Sequence, residues 1–155
     1  MQTIVAYFLL PMSLLLSGSL LVAQAVPVVK PSEFNHIAIF VQDLQRSADF
    51  YEKVMGLEKI PEPFKDGRHV WFRVGEHGQL HVVGGATQPA PTTIDVHNAF
   101  RVASMPEFMA HLDKMQVKYR SFKGDAKSTS RPDGITQIYF QDPDGYWIEV
   151  NDDKF

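Results

Sequence analysis

The segment Tyr139–Glu149 (YFQDPDGYWIE) is typical of two short strands joined by a tight turn. Pro143 suits an early turn position because its ring fixes φ, and Asp144-Gly145 supplies the positive φ that a tight turn needs. After the turn, Ile148 and Val150 alternate with other residues, which is the period of a strand with one buried face. The segment therefore predicts a β-hairpin near the end of the chain.

A second hairpin is indicated in the first half of the chain. Residues 69–74 and 79–83 are rich in β-forming side chains and flank the turn Gly75–Gly78. When the ends of the two halves are aligned, His81 and Glu149 occupy the same place on their last strands. A repeat of this kind indicates two copies of one structural unit.

The two halves also begin alike. Asn35–Val41 and Val96–Val102 alternate as strands do, and helical spacing of apolar residues follows over about Leu44–Met55 and Met105–Met115. A further short strand is predicted after each helix, over residues 57–60 and 117–122. The chain therefore predicts β-α-β-β-β twice.

This order defines an α+β fold with modules at residues 34–84 and 94–151. The strands that follow each helix are too close together for parallel crossovers, which excludes a βαβ sheet. A linker rich in Gly, Pro and Thr joins the modules over residues 84–93, and a polar loop covers residues 123–134.

Composition limits the function. The chain has 155 residues and a net charge of -3, with no basic run, so it fits one domain plus a leader and no nucleic-acid partner is expected. It has no cysteine, so any metal site must use His, Asp or Glu.

The N-terminal segment indicates where in or outside the cell the protein is found. Residues 1–29 carry no charged side chain, and Ala23-Gln24-Ala25 has the small residues of a cleavage site. We expect a signal peptide over residues 1–25 and a linker over 26–33, with export to the periplasm or the medium. The alternative is an N-terminal membrane anchor, since the apolar run is near the ~20 residues needed to span a bilayer. With cleavage, no stable membrane partner is expected.

Four residues are candidate metal ligands. His36 and His97 lie on the first strands of the two modules, and His81 and Glu149 lie on the last strands. Strand parity places these side chains on the face away from the apolar core. A single strand histidine is more often hydrogen-bonded or solvated, but four at repeat-equivalent positions favour a site. Imidazoles with one carboxylate suit Zn, Ni, Mn, Co or Fe rather than Ca.

Other polar and aromatic residues have competing interpretations. The aromatic side chains predicted on the ligand-bearing face either stack on a flat substrate or pack the wall of the site; they are Trp71, Tyr139 and Trp147. In the 123–134 loop, Arg131 and Lys127 either meet an anionic group, with the loop acting as a lid, or are solvated. The remaining histidines have no repeat partner and are predicted to be structural; they are His69, His77 and His111.

Several of these segments together resemble the vicinal oxygen chelate superfamily, which includes glyoxalase I, fosfomycin-resistance thiol transferases, extradiol dioxygenases and bleomycin-binding proteins. The segments that carry the resemblance are Asn35–Ile37, Asp43-Leu44, Phe50–Leu57, Leu80–Val82, His97–Phe100 and Tyr139–Glu149. The resemblance implies paired βαβββ modules forming a cup-shaped mixed sheet around a divalent metal ion.

By motif position, the resemblance implies that His36, His97 and Glu149 are metal ligands. His81 stands where glyoxalase I enzymes usually carry a Glu, and we expect it as the fourth ligand. The resemblance also implies a homodimer, with the halves of the site either in one chain or in two.

The function expected from the resemblance is a glyoxalase-I-like lyase or isomerase acting on a small oxygen-chelating substrate, with Glu149 or His81 moving the proton. The alternatives are an Fe(II) ring-cleaving dioxygenase, a thiol transferase acting on an epoxide, and a binding protein of the same fold without catalysis.

Overall fold

The structure, a computed structural model, describes residues 30–90 and 92–154. The described residues from Glu33 onward belong to one compact unit. Within the part described, no helix has the length and apolar character needed to cross a membrane. The segment predicted as a signal peptide lies outside the described residues, so the predictions of cleavage and export stay predictions.

Two βαβββ modules follow one another, as the sequence predicts. The first contains β1 (His36–Val41), α1 (Leu44–Lys53), β2 (Lys59–Ile60), β3 (His69–Val74) and β4 (Gly78–Gly84). The second contains β5 (His97–Arg101), α2 (Met105–Lys114), β6 (Thr129–Ser130), β7 (Thr136–Gln141) and β8 (Trp147–Asn151). The predicted α+β fold class is confirmed.

Each module forms a four-stranded mixed sheet, in the orders β1-β4-β3-β2 and β5-β8-β7-β6. The first strand runs parallel to the last, and the other strands are antiparallel. In the register, His81 lies opposite Ala38 and Glu149 lies opposite Ala99. Each alanine comes two residues after a first-strand histidine, so the two modules place their polar side chains at matching points.

The helices cover the apolar sheet faces. Asp43 and Ser104 cap them by accepting hydrogen bonds from backbone N–H groups in the first turn. Phe140 of β7 packs near Phe50 of α1, at 6.3 Å between ring centroids, and near Phe108 of α2, at 6.4 Å. One apolar cluster thus includes side chains from both modules, and its removal from water stabilises the two modules as one unit.

A polar contact also links the modules. The Asp144 carboxylate accepts a hydrogen bond from the Gln42 backbone N–H at 2.6 Å and another from the Ser47 hydroxyl at 2.8 Å. Asp142 accepts one from the Tyr51 hydroxyl at 2.8 Å. Both carboxylates are buried. We call these five residues the turn clasp, because they fasten the β7–β8 turn to the first module.

One predicted strand is wrong. Residues 117–122 form no strand, and only Arg120 makes an isolated bridge, to Tyr139. The Ser121 hydroxyl oxygen accepts hydrogen bonds from the backbone N–H groups of Gly124 and Ala126, which turns the chain. The outer strand, β6, is instead formed by two residues inside the segment predicted as a polar loop.

Candidate metal centre

In both modules, the strand residues alternate between the core and the face that carries the candidate ligands. The two ligand-bearing faces differ in solvent exposure. On β1, Ile39 and Val41 are buried while Phe40, on the other face, is 47% exposed. On β8, Ile148 and Val150 lie in the core, yet Glu149 on the opposite face is also buried, with 5% of its surface exposed. The candidate face is therefore covered in the second module at Glu149 and open in the first at Phe40.

His97 and Glu149 form the most defined pair. The His97 Nε2 lies 3.1 Å from the Glu149 Oε2, and its Nδ1 lies 2.7 Å from the Ile94 carbonyl oxygen. Because a carbonyl oxygen only accepts, Nδ1 carries a proton, and Nε2 is the nitrogen that faces the carboxylate. Two electron-rich atoms this close require a cation, either a second ring proton or a metal ion. The donor chemistry and the fixed tautomer fit a metal ligand.

Three donors hold the Glu149 carboxylate. The Tyr139 hydroxyl donates to Oε2 at 2.5 Å, and the side-chain amides of Gln137 and Asn151 donate to Oε1 at 2.7 and 2.8 Å. Burial raises the pKa of Glu149, but these hydrogen bonds and His97 lower it, with a net pKa below the ordinary 4.5. Glu149 is therefore an ionised carboxylate at neutral pH.

The first module has a stack of rings at the equivalent place. The His36 and His81 rings are 4.3 Å apart at 15°, and Trp71 lies on His81 at 3.9 Å and 4°. Trp71 is opposite His81 in the register as Tyr139 is opposite Glu149. The His81 imidazole is therefore held between two rings.

The hydrogen bonds of these histidines decide which nitrogens can bind. The His81 Nε2 lies 2.8 Å from the Gln79 amide oxygen, and the His36 Nδ1 lies 2.7 Å from the Asn35 amide oxygen. With the protons on these atoms, His81 offers Nδ1 and His36 offers Nε2 as lone pairs. Burial, followed by His36 and His69, lowers the pKa of His81, so His81 is neutral at pH 7.

The four predicted ligands meet as two pairs, His36 with His81 and His97 with Glu149. In residues 30–90 and 92–154, no group of three or more His, Asp or Glu side chains is placed to hold a metal ion. A four-ligand set within one chain is therefore not formed. The other expectation, a site shared by two chains, stays a prediction.

The remaining predicted substrate contacts are engaged within the chain. The Arg120 guanidinium lies over the Trp147 ring, 4.8 Å from its centroid. Arg131 forms ion pairs with Asp133 and, at 3.6 Å, with Asp153. Two carboxylates thus balance the Arg131 charge, which leaves it less suited to an anionic substrate than its sequence position indicates.

The histidines predicted to be structural make short-range or helix contacts. His69 Nδ1 lies 2.9 Å from the Asp66 carboxylate, and His111 Nε2 lies 3.1 Å from the Lys53 carbonyl oxygen at the end of α1. His77 is exposed in its turn. None of these contacts is made with a candidate ligand.

Two residues of the site were missed in the sequence. Gln137 and Asn151 hold Glu149 through its Oε1 atom, yet neither was predicted as a site residue. The alternation of side chains along a strand could have identified them. Gln137 shares a strand face with Tyr139, and Asn151 shares one with Glu149. Polar residues two positions from a buried carboxylate are its natural hydrogen-bond donors.

We expect Tyr139→Phe to lower the free energy of unfolding of the metal-free protein by about 2 kcal/mol at pH 7, since a hydrogen bond to a charged group is lost. The pKa of Glu149 is lowered by folding. The stabilisation from its carboxylate is therefore present above the unfolded value near 4.5 and is lost as the pH falls through the lower folded-state pKa. Urea unfolding followed by circular dichroism measures the difference at each pH.

Tyr119→Phe is the matched control, because Tyr119 makes its ring contact with Lys127 and none with Glu149. The difference between Tyr139→Phe and the wild type should shrink in acid. A difference that stays constant down to acid pH would contradict the role of Tyr139 as a donor to the ionised carboxylate.

Comparisons with known proteins agree with this architecture. A sequence model of the Glyoxalase/Bleomycin resistance protein/Dioxygenase superfamily matches residues 33–150. Glyoxylase I 4 of Arabidopsis thaliana is 26% identical over 127 residues, covering 77% of this chain and 70% of that protein. Lactoylglutathione lyase of Pseudomonas putida is 22% identical over 161 residues, covering 83% and 89%.

A solved structure shows the same fold. The crystal structure of a glyoxalase family protein from Bacillus anthracis superposes with a TM-score of 0.66 at 25% identity, covering 83% of this chain and 100% of that one. The family match spans both modules and includes all four candidate ligands. The chain therefore belongs to the Glyoxalase/Bleomycin resistance protein/Dioxygenase superfamily.

Proposed function

We propose that the protein is a metal-dependent lyase or isomerase that acts on a small oxygen-chelating substrate, as a glyoxalase I does. The observation that carries the proposal is the contact between the His97 Nε2 and the ionised Glu149 carboxylate, at 3.1 Å. A metal ion between these two atoms would satisfy both of them, as would a second proton on the ring, and the relatives of this chain include a lactoylglutathione lyase.

The proposed centre is made by two copies of the chain. His97 and Glu149 come from one copy, and His36 comes from the other, with His81 beside it. A twofold axis gives every dimer two identical centres of this kind. The open face of the first module supports the arrangement, since Phe40 on β1 and Phe64 beside Trp71 are 47% and 59% exposed. Large exposed apolar side chains on one face favour contact with another protein surface.

The donors of this centre are imidazole nitrogens and one carboxylate, which suit Zn, Ni, Mn, Co or Fe. When bound, a divalent ion of this kind supplies Lewis acidity to a carbonyl or enolate oxygen. The chain's own residues prepare the donors. Ile94 fixes the tautomer of His97, and three hydrogen bonds hold Glu149 ionised and oriented.

We assign the transfer of the substrate proton to His81. Three hydrogen-bond donors stabilise the Glu149 carboxylate and so weaken it as a base. His81 is neutral, its Gln79 contact leaves Nδ1 able to accept a proton, and two stacked rings restrict its motion. A neutral imidazole with a fixed orientation is a suitable general base near pH 7.

The test compares Glu149→Gln with His81→Ala. Glu149→Gln should weaken metal binding by about tenfold or more, since loss of an outer hydrogen-bond partner alone costs that much. His81→Ala should keep its metal and lower kcat by a factor of about 10² to 10⁴. Bound metal is measured by mass spectrometry, and turnover is measured with the hemithioacetal of methylglyoxal and glutathione.

His77→Ala is the control, because the side chain of His77 is 84% exposed in a turn. Its metal content and kcat should equal those of the wild type. A wild-type protein without bound metal, or without turnover when loaded with Zn, Ni or Co, would overturn the proposal. Oxygen uptake with a catechol after loading with Fe would favour ring cleavage instead.

A further inference from the structure

A third histidine, His69, lies on the ligand-bearing face of the first module. Phe72 of β3 is buried, so His69 and Trp71 point to the opposite face of the sheet, where Trp71 stacks on His81. In the register, His69 is opposite Val83, two residues beyond His81 on β4. Diagonal neighbours of this kind on one sheet face lie about 7 to 8 Å apart, within reach of aromatic side chains. His69 therefore shares a surface with the candidate ligands.

The Asp66 carboxylate fixes the orientation of the His69 ring. The Asp66 Oδ1 lies 2.9 Å from the His69 Nδ1 and also accepts a hydrogen bond from the Arg68 backbone N–H at 2.9 Å. The contact with His69, the first cause, lowers the pKa of Asp66, so this carboxylate is ionised at neutral pH and only accepts. The His69 Nδ1 therefore carries a proton, and in the neutral form of the ring Nε2 has the lone pair.

The Nε2 atom of His69 is open to a ligand. Within residues 30–90 and 92–154, this atom forms no hydrogen bond or ion pair. The Nε1 of Trp71 is the only buried side-chain nitrogen or oxygen without a partner in the same part of the chain, so solvent reaches the His69 Nε2. The Phe64 ring packs on the imidazole, at 4.6 Å between centroids. The ring is thus oriented and partly shielded, with one accessible nitrogen.

A second carboxylate–histidine pair, Glu76 with His77, shows the contrast with a surface contact. The His77 Nε2 lies 3.6 Å from the Glu76 carboxylate, and the two side chains are 84% and 87% exposed. The His69 side chain is 19% exposed and its contact with Asp66 is shorter by more than half an ångström. A short, partly shielded contact between a carboxylate and Nδ1 holds an imidazole in one tautomer, which is what proton transfer at Nε2 needs.

An isomerisation that moves hydrogen between neighbouring carbons involves two protons. One proton leaves the first carbon and ends on the second, and we assign that transfer to His81. The other leaves the hydroxyl of the first carbon and ends on the oxygen of the second. One C–H and one O–H bond break, one of each forms, and no oxidant or reductant is consumed. The reaction therefore has work for a second acid–base group beside the first.

We infer that His69 transfers the second proton. Its Nε2 accepts the proton of the substrate hydroxyl as the C–H bond breaks at His81, and the imidazolium then gives this proton to the neighbouring oxygen. A substrate with two adjacent oxygens, contacted at about 3 Å on each side, spans the space between the two diagonal neighbours. The inference rests on the proposed function and adds a catalytic residue to it, with Asp66 as its positioning residue.

The test compares His69→Ala with His69→Gln in the full-length protein loaded with metal. A glutamine amide can still donate to Asp66, but it cannot accept the substrate proton. Both variants should keep the wild-type metal content and lower kcat with the hemithioacetal of methylglyoxal and glutathione by a factor of about 10². Asp66→Asn should lower kcat less than either variant, since the imidazole itself remains.

The tautomer of His69 gives a readout that is independent of turnover. Nuclear magnetic resonance of the metal-free protein, with nitrogen-labelled histidine, should show the proton of the neutral His69 ring on Nδ1 and none on Nε2. A neutral ring with its proton on Nε2 would contradict the inference, because that nitrogen could not accept a proton from a substrate.

His77→Ala is the matched control, because His77 also contacts a carboxylate but lies exposed in a turn. Its metal content and kcat should equal those of the wild type. Wild-type kcat in His69→Ala, or a loss in His69→Ala that is absent from His69→Gln, would overturn the inference and leave the proposed function intact. A wild type that binds no metal or shows no turnover would remove both.

Discussion

Co-expression of a His36→Ala chain with a Glu149→Ala chain is expected to restore about a quarter of the wild-type metal content, although each variant alone binds almost none. The reason is the division of the ligands into two pairs. In a mixed dimer, one centre receives both substitutions and the other receives neither. About half of the dimers are mixed after random pairing, and each has one intact centre of two.

Two differently tagged chains allow the mixed dimers to be purified and their metal measured by mass spectrometry. Isolated mixed dimers should bind about one ion per dimer. The control joins both substitutions in the same chain and co-expresses it with the wild type; each mixed dimer of this kind carries one substitution in each shared centre and should bind almost no metal. Failure of the two single variants to complement, while this control retains metal, would mean that the ligands come from one chain.

Asp144→Ala is expected to lower the free energy of unfolding by about 3 kcal/mol, the largest stability effect we predict for a polar residue. The substitution removes the acceptor for the Gln42 backbone N–H and for the Ser47 hydroxyl. Ser47 is fully buried, so water does not replace the lost hydrogen bond without cost. For a domain of this size the midpoint of thermal unfolding should fall by about 10 °C.

Calorimetry and urea unfolding measure this loss. Ser47→Ala removes one of the two contacts and should cost less than half as much. Asp113→Ala, at an exposed carboxylate paired loosely with Lys127, should change stability by less than about 0.5 kcal/mol. A loss for Asp144→Ala no larger than that for Asp113→Ala would show that the turn clasp does not fasten the modules.

Much of the fold follows from local patterns. The Asp-Pro-Asp-Gly turn, the alternation in β8 and the helical spacing in α1 and α2 each act over a few residues, so the sequence predicts them. The strand predicted over residues 117–122 does not form. The apolar residues of this segment suit a strand, but the Ser121 hydroxyl accepts backbone hydrogen bonds that turn the chain instead. The hydrophobic pattern of a sequence carries no information about a side-chain hydrogen bond of this kind.

The sequence predicted the part of the candidate site that follows from the internal repeat. The equivalence of His81 and Glu149 follows from alignment of the two halves, and the register of the sheets confirms it. The sequence did not predict that Glu149 is buried under hydrogen-bond donors, or that Arg131 is paired with Asp133 and Asp153. Those facts depend on which side chains of β7, β8 and the residues after β8 meet in the folded chain, which is a tertiary property.

The turn clasp also has a consequence for the order of folding. Its contact between Gln42 and Asp144 joins residues 102 positions apart, so it forms only after the β7–β8 turn has been synthesised. Contacts of such long separation close late and slow the final step of folding. The first module therefore lacks the hydrogen bonds of the turn clasp until the β7–β8 hairpin has been synthesised.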